Sequence, residues 1–325
     1  MAATVYVNGR IGSDRDPMIS VFDHGFLYGE GVYETLRTYN GRPFLFERHM
    51  GRLRRSADMI QLAVPASDRE MADHIEECMR AFDRAQASSN QGPLYIRILV
   101  TRGIGELTYD PAACPTPTVV IIVKAHVEPP PRAFEQGVPA ALVPVLRNHP
   151  ASVNPLIKSN NLLNNALAMQ HAVKRGAFEG IMRNYRGELS ECTQSNLFLV
   201  KTGIAETPAL EAGLLSGITR EFLFEIGAEE GIPVRERTLR DEDLFGADEA
   251  FLSSTTRELV PIVRVDDRPI GSGKPGPITR RLLEAFRRKA DALTMAEVKS
   301  HFSRRPAGLS ATSRGGQAQN RFRSP

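Results

Sequence analysis

The chain has 325 residues, 42% hydrophobic and 24% charged, with no tryptophan and three cysteines. That composition excludes the disordered and fibrous classes, and the length allows two domains, each with its own core. The cysteines, Cys78, Cys114 and Cys192, are too scattered for a secreted disulfide framework or a paired zinc site.

The net charge of +3 is unevenly placed: from Met295 onward Lys299, Arg304, Arg305, Arg314, Arg321 and Arg323 face Glu297 alone, which leaves the first 294 residues at −2. With only Phe302 and Phe322 as aromatic residues in that basic stretch, no nucleic-acid partner is expected. The start has no basic segment followed by an apolar one. The longest strongly apolar run, Val119 to Val123, is far short of the roughly 20 residues of a membrane helix. A cytoplasmic protein without a membrane partner is the expectation.

Along the chain, residues 4–10 and 18–22 read as short strands, and Val32 to Tyr39 as a third. Asn40-Gly41 makes a turn into Pro43 to Phe46. A helical period runs from Glu47 to Leu62, and Ser67-Asp68 caps a second helix reaching about Ala87. Leu94 to Thr101 and Thr118 to Lys124 are β-rich. Val127 to Arg132, with three consecutive prolines, reads as a linker.

Beyond it come a strand near Ala140 to Leu146 and a helix from Asn160 to about Arg175. A hairpin of Gly180–Tyr185 and Glu188–Ser190 follows, then a strand at Asn196–Lys201. A helix starts near Ser216 and stops at Gly231, a strand covers Glu249 to Ser253, and a last helix runs from Pro277 to about Leu293. From about Ala296 the composition predicts a disordered tail. Mixed strands and helices without strict alternation indicate an α+β fold in two domains.

Several residues have chemical potential. Lys158, between Ile157 and a Ser/Asn cluster, lies where an extended segment meets a helix start; desolvation there would lower its pKa and favour Schiff-base chemistry. Read locally, most such lysines are simply solvated. Glu191, at the end of a hairpin strand, either faces a cavity or is an exposed turn acid. Ser216-Gly217-Ile218-Thr219 opens a helix whose free N–H groups and dipole suit an anion. Arg52 is a second candidate anion ligand, or an ordinary surface arginine beside Arg48, Arg54 and Arg55. Gly271-Ser272-Gly273-Lys274 fails as a phosphate loop, because Arg268 and Pro275 occupy the positions of its first glycine and its Ser/Thr. No metal site is expected.

The order and spacing of these segments are more specific than any one of them. The chain resembles the class IV aminotransferases, the group of branched-chain and D-amino-acid aminotransferases, (R)-amine transaminases and aminodeoxychorismate lyase. The matching segments are Asp23 to Glu34, His49 to Ala57, Ile157-Lys158-Ser159, Glu191 to Phe198, Gly217 to Arg220 and Ser253 to Glu258, and the resemblance runs from about Val5 to Leu293.

It implies a fold type IV enzyme with pyridoxal 5'-phosphate between two domains. These would be residues 1–124 and 134–294, joined by the linker 125–133 and followed by the tail 295–325. Lys158 would hold the cofactor as a Schiff base and shuttle the proton, and Glu191 would pair with the pyridine nitrogen. Arg52, Gly217, Ile218, Thr219 and Thr255 would hold the phosphate, and Leu215 would pack on the ring. Tyr95 and Arg97 look like the Tyr-x-Arg pair that seats a substrate carboxylate, a bidentate task suited to a guanidinium. Tyr28, Tyr33, Ser254 and Thr256 would line the same pocket.

The implied reaction moves an amino group from leucine, isoleucine or valine to 2-oxoglutarate, in a homodimer or higher oligomer. The implied alternatives are a D-amino-acid or (R)-amine transaminase and aminodeoxychorismate lyase. Leu163, Thr193-Gln194-Ser195 and Thr35 depart from the family pattern and bear on the substrate.

Overall fold

A computed structural model describes residues 3–86 and 92–303, with side chains through residue 296. The first half contains strands β1 (Ala3–Val7) and β2 (Arg10–Ser13), the one-turn helix α1 (His24–Leu27), β3 (Gly31–Tyr39), β4 (Arg42–Pro43), helices α2 (Phe46–Met59) and α3 (Asp68–Ala85), β5 (Leu94–Thr101) and β6 (Thr118–Ala125). Its strands form one antiparallel sheet in the order β2-β1-β6-β5-β3-β4.

Period-2 alternation gives this sheet two different faces. Val32, Leu36, Ile96, Ile98 and Val100 pack with Leu53, Ala57, Met71 and Ile75 of α2 and α3 into one core. The opposite face carries Tyr33, Thr35, Tyr95 and Arg97, with Thr35 directly across from Arg97.

The second half adds α4 (Pro131–Glu135), β7 (Val138–Leu142), α5 (Leu163–Lys174), β8 (Glu179–Arg183), β9 (Leu189–Cys192), β10 (Asn196–Lys201) and β11 (Ile204–Pro208). After these come α6 (Ile218–Glu230), β12 (Val234–Arg237), α7 (Asp241–Gly246), β13 (Glu249–Ser254), β14 (Glu258–Val265), β15 (Arg268–Pro269) and α8 (Pro277–Ser303). Its mixed sheet is ordered β12-β11-β10-β13-β14-β7-β8-β9, with β15 paired to β14. Helices α6 and α8 cover one face through Phe222, Leu223, Ile226, Leu282 and Phe286. No helix among the described residues is long and apolar enough to cross a membrane.

The fold is α+β, as expected, but several elements differ. Residues 18–22 form no strand: the chain turns there, with the Asp23 amide donating to the Ser20 carbonyl, and Met18 and Val21 stay exposed. The strand lies instead at Arg10–Ser13. Residues 44–46 leave the sheet after Pro43, because Leu45 adopts a left-handed conformation and opens α2. Pro131 begins α4 rather than ending a linker, since the first helical position needs no N–H.

α5 starts at Leu163, not Asn160, because Lys158–Asn160 are held extended against β3. Beyond Leu142 the chain leaves the sheet, short of the expected Leu146. Strands β11, β12 and β14 and helix α7 were not foreseen; β12 reads Val-Arg-Glu-Arg, a charged edge strand without an apolar pattern. α8 runs to Ser303, past Leu293 and into the segment read as a tail, where no proline or glycine interrupts it. Ala87 and the tail beyond residue 303 lie outside the described residues.

Candidate active site

α2 has two buried stripes. Met50, Leu53 and Ala57 enter the core, while His49, Arg52 and Ser56 form a second, polar stripe at the same spacing. That polar stripe meets Glu34, which alternation places on the buried face of β3 between Val32 and Leu36. Arg52 Nε and Nη2 donate to the two Glu34 oxygens at 2.6 and 2.8 Å, and His49 Nδ1 lies 2.7 Å from Oε2. Glu34 is 0% exposed. Burial works against its charge, but Arg52 and His49 hold its carboxyl well below the ordinary carboxylate range. Burial pushes His49 down, so its imidazole is neutral and donates from Nδ1. Arg52 Nη1 reaches on to the Ser216 carbonyl at 2.9 Å, tying α2 to the segment that opens α6.

Ser56, one turn beyond Arg52, accepts the Lys158 backbone N–H at 3.1 Å, and the Tyr33 N–H donates to the Lys158 carbonyl at 2.9 Å. The lysine backbone is thus pinned to two elements of the first half, β3 and α2. Its ammonium lies 4.5 Å from the centroid of the Tyr33 ring and, among the described residues, meets no carboxylate.

Glu191 lies on β9, every residue of which is buried. Its Oε1 accepts from Arg147 Nε at 2.6 Å; its Oε2 accepts from the Leu215 amide at 3.1 Å and from Asn196 Nδ2 at 3.4 Å. Gly217 caps α6 without any side-chain hydrogen bond, so the first amides of that helix are uncapped by side chains. Its φ of −75° suits any residue, but an added Cβ would lie 1.9 Å from Asn196 Oδ1. Asn196 is fixed by Glu191 and by the Leu215 carbonyl and cannot yield freely. We expect Gly217→Ala to lower stability by about 1–3 kcal/mol, the usual cost of overpacking, measured by urea unfolding.

Lys158, Arg52, Glu191, Leu215, Gly217, Ile218, Thr219 and Ser254–Thr256 all line one cavity of about 860 Å³, together with Tyr33, Tyr95 and Arg97. Its size suits a cofactor plus a small substrate. Arg97 stacks 4.1 Å from the Tyr33 ring centroid and its Nη1 is 3.5 Å from the Tyr95 hydroxyl. The Ser253 and Ser254 hydroxyls are buried and, among the described residues, meet no hydrogen-bond partner, a donor pair available to a ligand. Tyr28 is not among the cavity-lining residues; it packs against His24 and Tyr109 at the chain's own surface loop. The Gly271–Lys274 turn holds no anion site, because Glu249 already accepts the Ile278 and Thr279 amides that open α8.

Residues 31–265 match the family model for amino-transferase class IV. The chain belongs to the class IV aminotransferases. This aminotransferase is 38% identical, over 87% of its length and 95% of the relative's, to a provisionally named branched-chain-amino-acid aminotransferase of Methanocaldococcus jannaschii. It is 35% identical to a D-alanine aminotransferase of Staphylococcus haemolyticus, over 87% of this chain and 96% of that one. It also superposes, with a TM-score of 0.82 and 27% identity, on the T.th. branched-chain amino acid aminotransferase solved with pyridoxamine 5'-phosphate; 90% of this chain and 95% of that one are covered.

Two residues of the aminotransferase's cavity region were given no role by the motifs, although Glu34 closes one of the matching segments. Glu34 was detectable as a charge on the inward face of a strand. Arg147 had no local signal, since its partner is 44 residues away.

Proposed function

We propose that this aminotransferase holds pyridoxal 5'-phosphate in the 860 Å³ cavity and moves the amino group of leucine, isoleucine or valine to 2-oxoglutarate. The observation that carries the proposal is that one cavity brings together a carboxylate-free lysine ammonium, a buried acid and an uncapped helix N-terminus. That donor set fits the cofactor's aldehyde, ring nitrogen and phosphate. Bound there, the cofactor supplies an electron-withdrawing ring that makes the substrate's α-proton acidic.

Lys158 is the amine that would hold the cofactor covalently and, once free, move the α-proton. Glu191 would keep the ring nitrogen protonated. Arg52, the Ile218 and Thr219 amides and Thr255 would hold the phosphate, close to the backbone at Gly217. Leu215, its amide engaged by Glu191, would lie against the ring.

Arg97 and Tyr95, with Tyr33, Ser254 and Thr256, would take the substrate. We expect Arg97→Ala to raise KM for L-leucine about 10–100-fold, the range of one charge-assisted hydrogen bond, with kcat changed much less. An unchanged KM would place the carboxylate elsewhere.

A D-amino-acid reading is favoured by the D-alanine aminotransferase relatives, which match over the same length of chain. A half-reaction separates the two. Bleaching of the loaded enzyme's cofactor absorbance by L-leucine or L-isoleucine supports the branched-chain reading, whereas bleaching by D-alanine alone replaces it.

The proposal includes a homodimer. Met18, Phe26, Leu107 and Tyr109 are 89%, 70%, 67% and 85% exposed on two segments bridged at Asp23 and Ile104, one of them carrying α1, a concentration of apolar surface that suits a second copy. It also includes a cytoplasmic home, with Cys78, Cys114 and Cys192 kept as buried free thiols.

A further inference from the structure

The Glu191 carboxylate is crowded. A carboxylate offers about four lone-pair sites, and Arg147, Leu215 and Asn196 occupy three of them. Arg147 is itself held by further hydrogen bonds. Its Nη1 donates to Asn164 Oδ1 at 3.3 Å and its backbone N–H to the Arg183 carbonyl at 2.8 Å. Asn164 in turn donates from Nδ2 to the Leu146 carbonyl at 2.8 Å, clipping this segment to the start of α5. The two side chains are 9% and 7% exposed. An ion pair so far removed from water adds little net stability over an apolar pair of similar volume, so packing alone does not account for it.

We propose that Arg147 is a positioning residue that acts through Glu191: its guanidinium orients the carboxylate and keeps the proton off it, so that the proton stays on the ring nitrogen Glu191 meets. The inference rests on the Glu191 role proposed above. Protonating Glu191 would neutralise it and leave the Arg147 guanidinium, 2.6 Å away, buried without its counter-ion in surroundings that screen poorly. Without the guanidinium that cost disappears, and a carboxylate left buried without its ion partner takes the proton instead. The ring then loses its charge and withdraws electrons less well. Only one oxygen of Glu191 touches Arg147, so the remaining lone-pair site is left for the nitrogen.

The test uses the full chain loaded with pyridoxal phosphate labelled with nitrogen-15 in the ring. The nitrogen resonance is recorded for wild type, Arg147→Met, Arg147→Lys, Glu191→Gln and the Arg147→Met/Glu191→Gln double variant. The wild type and Arg147→Lys are expected at the protonated position, and Arg147→Met and Glu191→Gln shifted toward free pyridine. In Arg147→Met kcat should fall at least tenfold while KM for the amino donor changes by less than threefold.

Should Arg147→Met fail to fold, the double variant buries neither charge. It is expected to match Glu191→Gln in both resonance and kcat; a further loss would show that Arg147 acts elsewhere and overturn the inference. A protonated resonance retained in Arg147→Met would also overturn it, with the Glu191 role left standing. An unprotonated nitrogen in the wild type would overturn both.

Discussion

Lys158→Ala is expected to fold and melt close to wild type while losing at least about 10²–10⁴-fold in turnover, the range of one general acid–base group. The structural use of this residue is almost entirely through its backbone: the N–H goes to Ser56 and the carbonyl accepts from Tyr33, and alanine keeps both. Among the described residues the ammonium's contact is the Tyr33 ring face, at 4.5 Å, an interaction of about 0.5–1 kcal/mol where the site is exposed. Deleting it therefore removes chemistry and little stability.

Two measurements separate these effects. Thermal melting should place the variant within a few degrees of wild type. Borohydride reduction of the loaded enzyme, followed by peptide mass analysis, should attach the cofactor to the peptide containing residue 158 in wild type and to no peptide in the variant. Turnover retained at the wild-type rate would remove Lys158 from the mechanism. A collapse in melting temperature with no label in either protein would mean the residue is structural.

How far these properties could be read from the sequence depends on the range of the interactions involved. The strands β5 and β10 were bounded to the residue, because their apolar runs are self-contained and flanked by turn signals. The helix cap read at Ser67 was equally local, and the structure completes it with Glu70. α5 was misjudged at its start because what keeps Lys158–Asn160 extended is β3, more than 120 residues earlier. Nothing local in an Asn-rich segment reports that pairing.

The chemistry shows the same division. Lys158 and Glu191 were identified by the order of motifs along the chain, not by their surroundings, since each taken alone reads as a surface charge. Arg147 was missed because neither alternation nor a motif marks it. Arg52 sat in a run of arginines that ordinarily describes a solvated helix face. Its burial depends on a second, polar stripe on α2 that only makes sense once Glu34 is placed opposite it.

That last pair supports the second large effect. Arg52→Met should lower unfolding stability by about 3–5 kcal/mol, the usual result of removing one partner from a buried pair. Glu34, fully buried, would keep a charge with only the neutral His49 beside it. The pH dependence follows from the depressed carboxyl of folded Glu34. A group held below its unfolded value, about 4.3 for glutamate, contributes stability that is fully present above that pH and is lost as pH falls through the folded value. The gap between wild type and variant should thus be widest near pH 7 and narrow below about pH 4.

Urea unfolding at pH 7 and at about pH 3 measures it, and an equal gap at both would exclude Glu34 as the group responsible. The double variant Glu34→Gln/Arg52→Met buries no charge and should recover much of the stability. It should still bind the cofactor more weakly than wild type, because the guanidinium that reaches toward the α6 N-terminus is gone. Recovery of stability without recovery of cofactor binding would separate the two tasks of Arg52: neutralising Glu34 in the core and the proposed one of presenting a cation to the phosphate beside the α6 N-terminus.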